Sequence, residues 1–439
     1  MSVKLHAWGR IATADVVALI PRDSASASLP THAYLPVGNN RSYGDSAMPA
    51  GTAILTRDLS RILDFNADSG LLRAEAGVLL SDVIAHVTPR GWFLPVTPGT
   101  QFVTLGGALA NDVHGKNHHR AGSFGCHVRA FELIRSDGAR LLCSPQSNAG
   151  LYAATIGGMG LTGLVTWIEL ALKPTPTPDV IEETIRFPTL GRFFTLSAES
   201  DATHEYSVAW IDSSARGAAL GRGLFMRANH ADAPAAQRQG LRLALPFTPP
   251  LSLMNGASIG LFNAAQFALA KEGERRRGYA QFFYPLDGIG GWNKAYGPRG
   301  FHQHQSVLPL PAAEQAIAEM LNALHEAGIH SFISVLKIFG RQASPGLLSF
   351  PREGATLALD LPNHGEATLR LLSRLDQITL RAGGAVNPYK DSRLPREVFE
   401  ASFPALAQMQ PWLDPLAASQ FSRRVGFTHH PNSTILAAE

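Results

Sequence analysis

The 439-residue sequence is poor in cysteine and has almost no net charge. Its two cysteines, Cys126 and Cys143, form no CxxC pair, which excludes a disulfide framework and gives no reason to expect an oxidising compartment. The 38 basic and 35 acidic residues leave a net charge of +3 without a basic stripe, so no nucleic-acid partner is expected. With 45% hydrophobic and 17% charged residues, the chain has a globular composition and enough length for two domains.

Long apolar runs are also missing. No unbroken run reaches the length of a membrane span, and the N-terminus has no apolar core followed by a small-residue cleavage site. We therefore expect neither a transmembrane helix nor a signal peptide, and we expect a cytoplasmic location.

One segment departs from this average composition. Residues 241–270 contain no acidic residue and a single charge, Arg242, and they are followed by Lys271 and by arginines at 275–277. The segment is either a part of the core with a solvated basic tail or a flap that lies on a membrane surface. In the second case, residues 241–277 would make peripheral contact with the inner face of the membrane.

Small residues dominate the stretch 96–119, which reads VTPGTQFVTLGGALANDVHGKNHH. Such a run lets the backbone come close to a large flat ligand, and its amides can bind phosphate. The polar end of the run, with His114 and Lys116, suggests a reaction site beside a cofactor site. The alternative is a tightly packed helix followed by a polar loop. The histidines raise the question of a metal, but no acidic or cysteine ligand stands at a suitable spacing, so none is expected.

A second loop, PVGNNRSYGDS at 36–46, has Gly38 and Gly44 on either side of two asparagines. Glycine and asparagine tolerate positive φ and can expose backbone amides. Two such loops, separated by strand-like segments, suit a ligand with a central diphosphate. No strand–GxGxxG–helix unit is present, which argues against a nicotinamide dinucleotide.

Hydrophobic periodicity gives a coarse secondary structure. It predicts helices over Ala14–Leu19, Leu79–Val87, Leu151–Ile156, Ala312–Ala327 and Glu366–Arg381. It predicts strands over 53–56, 62–65, 71–76, 131–134, 140–143, 164–172, 280–284, 302–308, 331–339 and 356–361. The alternating prolines of 173–178 form a stiff connector, which predicts a domain boundary. Beyond it, strands and helices with short loops predict an antiparallel sheet covered on one face.

Longer phrases of the sequence resemble a known family. NRSYGDS, LPVTPGTQFVTLGGALANDVHGKNHHRAGSFG and IGGMGLTGLV resemble the PCMH-type FAD-binding domain of the vanillyl-alcohol oxidase superfamily. FFYPLD, GWNKAYGPRGFHQHQ, VLKIFG, LSFP and YKDSR are similar, in the same order, to the branch that oxidises polyprenyl-phosphate ribose. The resemblance implies an α+β fold with a discontinuous FAD-binding domain at 1–176 and 385–439. It implies a substrate-binding domain at 177–384, with an antiparallel sheet and helices on one face.

The same resemblance implies a function. It is the FAD-dependent oxidation of the ribose C2 hydroxyl to the 2-keto sugar, by hydride transfer to flavin N5, as the first half of an epimerisation to arabinose for the cell envelope. The partners would be the lipid-linked sugar phosphate and an NAD(P)H-dependent short-chain reductase. The alternative within the superfamily is an alditol or aldonolactone oxidase or dehydrogenase. A metal-dependent hydrolase and a flavin carrier without catalysis are the alternatives outside it.

The implied cofactor residues lie in both glycine-containing loops and in two later segments. They are Gly38, Asn39, Asn40, Arg41, Ser42, Tyr43, Gly44, Gly99, Thr104, Leu105, Gly106, Gly107, Asn111, His114, Val165 and Asn387. Arg41 stands where covalent relatives carry a histidine, and arginine cannot form that bond, so FAD is expected to be non-covalent. Cys126 lies near a second attachment position of some relatives. The family usually has glycine at Asn40.

Two residues are candidates for catalysis by the same resemblance, Lys390 in YKDSR and His114. Alcohol oxidation by a flavin needs a group that takes the hydroxyl proton. A lysine desolvated beside the flavin can act as that base or stay charged and orient the hydroxyl, whereas the alternative is a salt bridge with Asp391. The implied substrate residues are Tyr43, Lys116, Gln305, Lys337 and Lys390.

At three positions that face the substrate in the branch that oxidises polyprenyl-phosphate ribose, this sequence has other residues. Thr356, Ala358 and Asn387 stand where its members carry asparagine, cysteine and tyrosine. A related sugar or a different lipid tail is therefore an alternative substrate.

Overall fold

The computed structural model describes residues 1–234 and 243–429, which begin with a four-stranded sheet. Its strands are β1 (Ser2–His6), β2 (Thr13–Leu19), β3 (Tyr34–Val37) and β4 (Thr52–Leu55), in the order β1-β2-β4-β3. β1 and β2 are antiparallel, whereas β4 runs parallel to both of its neighbours.

The helix predicted over Ala14–Leu19 is wrong. These residues belong to β2, in which Ala14 and Ala18 are buried and their direct neighbours are not. A spacing of four places two residues on one face of a strand as well as of a helix, because side chains alternate along a strand. Pairing with β1, where Ser2 lies opposite Val17, decides in favour of the strand.

A second, five-stranded sheet is antiparallel throughout. Its strands are β5 (Ile62–Asn66), β6 (Leu71–Glu75), β8 (Val128–Ile134), β9 (Arg140–Cys143) and β10 (Leu164–Ala171), in the order β5-β6-β10-β8-β9. The short strands β7 (Trp92–Phe93) and β11 (Lys173–Pro174) pair beside it. The helices of this part are α1 (Leu80–Val87), α2 (Leu105–Ala110), α3 (His118–Ala121) and α4 (Ala149–Thr155). Apolar side chains of α1, α2 and α4 share one core with this sheet.

The third sheet has eight strands, again with antiparallel pairs only. They are β12 (Val180–Phe187), β13 (Tyr206–Ile211), β14 (Gly223–His230), β16 (Gly273–Arg277), β18 (Phe301–Leu308), β19 (Ser334–Phe339), β20 (Gly354–Pro362) and β21 (Ala385–Val386), in the order β16-β12-β14-β13-β19-β20-β18-β21. A short parallel pair joins β15 (Leu243–Ala244) to β17 (Ile289–Gly290). The helices are α5 (Leu190–Asp201), α6 (Gly256–Leu269), α7 (Tyr279–Phe283), α8 (Leu310–Ala327) and α9 (Glu366–Arg381).

The two faces of the third sheet have different environments. Leu357 and Leu359 of β20 pack with α5, α8 and α9 in one apolar core. Their neighbours Thr356 and Ala358 point to the opposite face, where they line a large cavity. Strand alternation therefore places the core on one side of the sheet and polar chemistry on the other.

The strand predicted over 280–284 is also wrong, because residues 280–283 belong to α7 and Tyr284 follows its end. Aromatic residues favour strands, which accounts for the prediction. In the structure, the N–H of Tyr284 bonds to the carbonyl of Ala280 at 3.0 Å. The ring of Phe283 packs 5.4 Å from that of Phe93 and 4.9 Å from that of Tyr206. Packing between distant segments outweighs the local preference.

The C-terminal part returns to the first half of the chain through α10 (Arg396–Ser402), α11 (Leu406–Met409) and α12 (Gln420–Arg424). Its side chains share a core with Leu35 and Met159. The predicted α+β class is confirmed. The predicted domain boundaries stay predictions, and residues 430–439 of the last predicted segment lie outside the described residues. None of the described helices is long and apolar enough to cross a membrane.

We expect Arg424→Ala to lower the free energy of unfolding by about 2 kcal/mol, because it leaves a buried carboxylate without its partner. Arg424 makes two hydrogen bonds to Asp45, of 2.8 and 3.1 Å. Arg423 next to it is exposed and forms no ion pair within the described residues, so Arg423→Ala is the matched control. Urea unfolding measures both variants, and equal stabilities would contradict the role of the pair.

Candidate active site

A cavity of about 1050 Å³ lies between the glycine-containing loops and the polar face of β18, β19 and β20. Most of the predicted site residues line it. They are Gly38, Asn39, Asn40, Arg41, Ser42, Tyr43, Gly99, Thr104, Gly106, Gly107, Asn111, His114, Lys116, Val165, Gln305, Lys337, Asn387 and Lys390. The fold thus brings together residues that are up to 352 positions apart in the sequence, from Gly38 to Lys390.

Two predicted cofactor residues, Gly44 and Leu105, do not line the cavity. The side chain of Leu105 is fully buried in the core of the second sheet. Gly44 packs against the backbone of Asp391, and a Cβ atom there would overlap that carbonyl. Both residues therefore support the wall of the cavity from behind, and their contact with the cofactor stays a prediction.

The loop 38–43 presents unpaired polar groups to the cavity. Its shape depends on Gly38, since a Cβ there would overlap the hydroxyl of Thr104, and on Asn40, which adopts φ +49°. Within the described residues, the backbone N–H groups of 39–43 have no hydrogen-bond acceptor. Arg41 Nε is also buried without a partner. Unpaired donors on a cavity wall indicate a site for an anionic ligand.

The first turn of α2 does not offer its amides in this way. The N–H of Leu105 bonds to the Val78 carbonyl at 2.9 Å, and that of Gly106 bonds to the Ala76 carbonyl at 2.7 Å. The N–H of Gly107 bonds to Thr104 Oγ1 at 3.1 Å. The expectation that these amides bind phosphate is therefore wrong. The small residues instead allow close packing of α2 against the segment after β6.

His114 lies on the cavity wall between two polar side chains. Its Nε2 lies 3.0 Å from Gln305 Nε2, and its Nδ1 lies 3.0 Å from Lys337 Nζ. The ring also packs against Phe339, with 4.7 Å between centroids. Burial, the largest cause, lowers the pKa of His114 well below its ordinary value, so the ring is neutral.

Three lysines of the wall are partly buried. Burial lowers the pKa of Lys116 and of Lys337 to about 7 each, and that of Lys390 to about 8. Lys116 donates to the carbonyl of Phe282 and lies 4.1 Å from the centre of its ring. The negative charge of Glu182 raises the pKa of Lys116 and so partly offsets the effect of burial.

Lys390 has different surroundings. Its Nζ lies 4.3 Å from the centre of the Tyr43 ring, and it has no hydrogen-bond acceptor within the described residues. Asp360 raises the pKa of Lys390 against the effect of burial. Asp391 forms its ion pair with Arg393, at 3.1 Å. The alternative of a salt bridge between Lys390 and Asp391 is therefore wrong.

The chain is similar to flavoproteins. A family profile described as FAD binding domain matches residues 13–144. The decaprenylphosphoryl-β-D-ribose oxidase of Mycolicibacterium smegmatis is 33% identical over 96% of this chain and 97% of its own length.

The chain belongs to the decaprenylphosphoryl-β-D-ribose oxidase family. Two other relatives match only in part. L-gulonolactone oxidase of Mus musculus is 28% identical over 34% of the chain and 35% of its own length. Human Delta(24)-sterol reductase is 30% identical over 27% of the chain and 23% of its own length. The protein is therefore an FAD-dependent oxidoreductase, and the predicted cofactor and enzyme class are confirmed.

The polar groups of the loop 38–43 suit the binding of FAD, the cofactor of this oxidase family. Its unpaired amides and the buried Arg41 suit the diphosphate, and the guanidinium of Arg41 is held 4.2 Å from the centre of the Trp8 ring. Gly99 has open space beside its Cα, so a large group can lie against it. The exact set of FAD contacts stays a prediction.

Sequence analysis did not identify two functional candidates, Asp360 and Glu182. Asp360 lies opposite Gln303 in the pairing of β18 with β20 and accepts a hydrogen bond from it. Glu182 forms ion pairs with Arg275 and Arg277, at 2.8 and 3.0 Å, beside Lys116. Only strand register brings these residues together, and no local motif marks them. Burial raises the pKa of Asp360 to about 7.

His118, His119 and Cys126, which the sequence raised as possible metal ligands or flavin attachment points, contact protein groups instead. His118 Nδ1 accepts from the N–H of Gly340 at 3.2 Å, and His119 Nε2 lies 3.2 Å from the His204 carbonyl. The described residues contain no group of three His, Cys, Asp or Glu side chains that could hold a metal. Cys126 is not part of the cavity wall, and its Sγ lies 3.7 Å from the Ala343 carbonyl.

We expect acid precipitation of the holoenzyme to release all of its flavin into the supernatant. Arg41 cannot bond to the flavin ring, and Cys126 lies away from the cavity wall. The measurement is the visible absorbance of the washed pellet and of the supernatant. A pellet that stays yellow would show a covalent flavin and contradict this expectation.

Proposed function

We propose that this enzyme oxidises the C2 hydroxyl of ribose in a polyprenyl-phosphate ribose to the 2-keto sugar. The name of the M. smegmatis relative, which matches along almost its whole length, supports this substrate. The cavity supports it too, because the amines of Lys116 and Lys390 line the same space and suit an anionic sugar phosphate.

One observation carries the chemical assignment. Both ring nitrogens of His114 are already engaged by side chains, whereas Lys390 Nζ lies at the cavity and has no hydrogen-bond acceptor in the described part of the chain. We therefore propose Lys390 as the group that takes the hydroxyl proton, and His114 as a residue that orients its neighbours.

The reaction removes two hydrogens from the alcohol carbon and its oxygen. FAD, when bound, supplies the acceptor for the hydride that leaves C2. The hydroxyl proton passes to the amine of Lys390, and the C2–O bond becomes a carbonyl. The ring of Tyr43 and Asp360 hold the resulting ammonium. Lys116, on another part of the wall, would bind the phosphate.

The second candidate is a free alditol or an aldonolactone. It is weaker because L-gulonolactone oxidase matches only about a third of the chain. Anaerobic mixing of the holoenzyme with polyprenyl-phosphoribose, ribitol and a lactone, with flavin absorbance as the readout, separates the candidates. The proposal requires the lipid-linked ribose to reduce the flavin fastest, and faster reduction by either other compound would contradict it.

The keto product implies a second enzyme. A separate NAD(P)H-dependent short-chain reductase would reduce the ketone from the opposite face, which completes an epimerisation to arabinose. A keto sugar on a lipid carrier is reactive, so transfer to such a partner is part of the proposal.

We expect Lys390→Ala to slow flavin reduction by about 100-fold or more, the usual effect of removing a general base. In the parent enzyme, the rate should rise with pH through about 8, because the fraction of uncharged Lys390 amine increases there. The variant should lose this dependence. Lys4→Ala, on the exposed strand β1, is the control, and a Lys390→Ala rate equal to the parent rate would remove Lys390 from the mechanism.

We also propose that α6 and the preceding loop contact the membrane that holds the lipid tail. Leu251, Leu261 and Leu269 are 75–78% exposed, and Leu253 and Phe262 of the same segment are exposed too, so large apolar side chains concentrate at this surface. Phe262 and Gln266 of the same helix line the cavity, so the apolar surface continues into the site. Leu241 and Arg242 of the predicted flap lie outside the described residues.

The basic end of the flap differs from the prediction. Arg275 and Arg277 pair with the buried Glu182, so they are not available as headgroup contacts. Lys271 and Arg276 form no ion pair within the described residues. Apolar insertion is therefore the main contribution that we propose.

The double variant Leu261→Asp/Leu269→Asp should lose flotation with anionic phospholipid vesicles, because two charges replace apolar side chains on the proposed contact. Leu142→Asp is the control, since Leu142 is half exposed on the second sheet, away from α6. Vesicle flotation measures all three proteins. Unchanged flotation of the double variant would contradict the membrane contact.

A further inference from the structure

The hydrogen bonds around His114 form a chain that begins at a backbone amide. The N–H of Tyr389 can only donate, and it lies 2.9 Å from Asn387 Oδ1, so this atom must be the amide oxygen. The other end of the Asn387 side chain is therefore its NH2 group, which points at Gln305 from 2.9 Å. The backbone thus determines the orientation of Asn387.

The orientation of Gln305 follows from that of Asn387. Gln305 Oε1 accepts the hydrogen bond from Asn387, which turns its NH2 group toward His114 Nε2 at 3.0 Å and Thr356 Oγ1 at 3.1 Å. An NH2 group donates, so Nε2 of His114 accepts. A neutral imidazole has one acceptor nitrogen and one N–H, so the hydrogen must be on Nδ1.

The hydrogen on Nδ1 determines the state of Lys337, whose Nζ lies 3.0 Å away. An ammonium group has three donors and no acceptor, whereas an amine has one lone pair and two N–H groups. An amine can accept from Nδ1 and donate to the carbonyl of Gly115 at 3.3 Å. We infer that the chain from Tyr389 through Asn387, Gln305 and His114 holds Lys337 as an uncharged amine.

The surroundings of Lys337 agree with this state. The titratable groups that act on it are positive or neutral: Lys116, Lys390, His114 and His118. Burial and these lysines lower the pKa of Lys337 to about 7. By contrast, an acidic residue supports each of the other two amines, Glu182 near Lys116 and Asp360 near Lys390.

Asn387 and Gln305 are thus positioning residues, and their role rests on the proposed oxidation of an alcohol. An uncharged Lys337 places no second positive charge beside Lys390. The pKa of Lys390 therefore stays at about 8. Asn387 is also one of the positions at which this chain departs from its branch. The chain of hydrogen bonds is therefore a property of this sequence.

Nitrogen NMR of the FAD-loaded holoenzyme with [15N]histidine, at a pH one unit above the pKa of Lys337, tests the inference. A protonated ring nitrogen and an unprotonated one have well-separated shifts, and loss of the signals in His114→Gln assigns them. The parent should show a proton on Nδ1. Gln305→Glu offers only acceptors, so it should accept from both Asn387 and His114 and move the proton fully to Nε2.

Asn387→Asp is a second, independent variant. Its carboxylate still accepts from Tyr389 but cannot donate to Gln305, so Gln305 should turn and present its oxygen to His114, again moving the proton to Nε2. Thr356→Val is the control, because Asn387 still orients Gln305 there and the proton should stay on Nδ1. A parent protonated on Nε2, or variants that keep the proton on Nδ1, would overturn the inference.

The experiment contains no substrate. Its failure leaves the proposed oxidation of ribose untouched, whereas failure of flavin reduction by the lipid-linked ribose leaves the NMR result standing. The two proposals are therefore tested separately.

Discussion

The burial of three amino groups around one cavity is the constraint on which the site depends. Transfer of an ammonium group out of water is costly, so each buried lysine either gains a compensating partner or loses its proton. Lys116 has Glu182 and the Phe282 carbonyl, and Lys390 has Asp360 and an aromatic ring. Lys337 has neither. The differences between their surroundings give three chemically equal side chains three roles.

The third sheet makes this arrangement stable. Its strands alternate between an apolar face, covered by α5, α8 and α9, and a face that carries Gln305, Lys337 and Thr356. The helices supply the apolar burial that the polar face cannot, so polar residues can be placed opposite the cofactor loops without loss of the core. The same alternation lets substitutions such as Thr356 and Ala358 change the site without changing the fold.

Much of this was predictable from local patterns. The helix Glu366–Arg381 was predicted with the bounds that the structure has, since its periodicity is strong and Gly383 follows it. The helix over Ala14–Leu19 and the strand over 280–284 failed, because pairing with β1 and packing of Phe283 override local preference. Motifs indicated Lys390 and Lys337, but Asp360 and Glu182 depend on strand register, which no motif records.

The central claim is that the amine of Lys390 faces the flavin. A pH titration of the visible flavin spectrum, on the holoenzyme and on Lys390→Met, tests it most directly. Loss of a positive charge beside the ring changes its absorption, so the parent spectrum should titrate near pH 8 and that of the variant should not. A parent spectrum that does not change with pH, or an identical titration in Lys390→Met, would contradict the account.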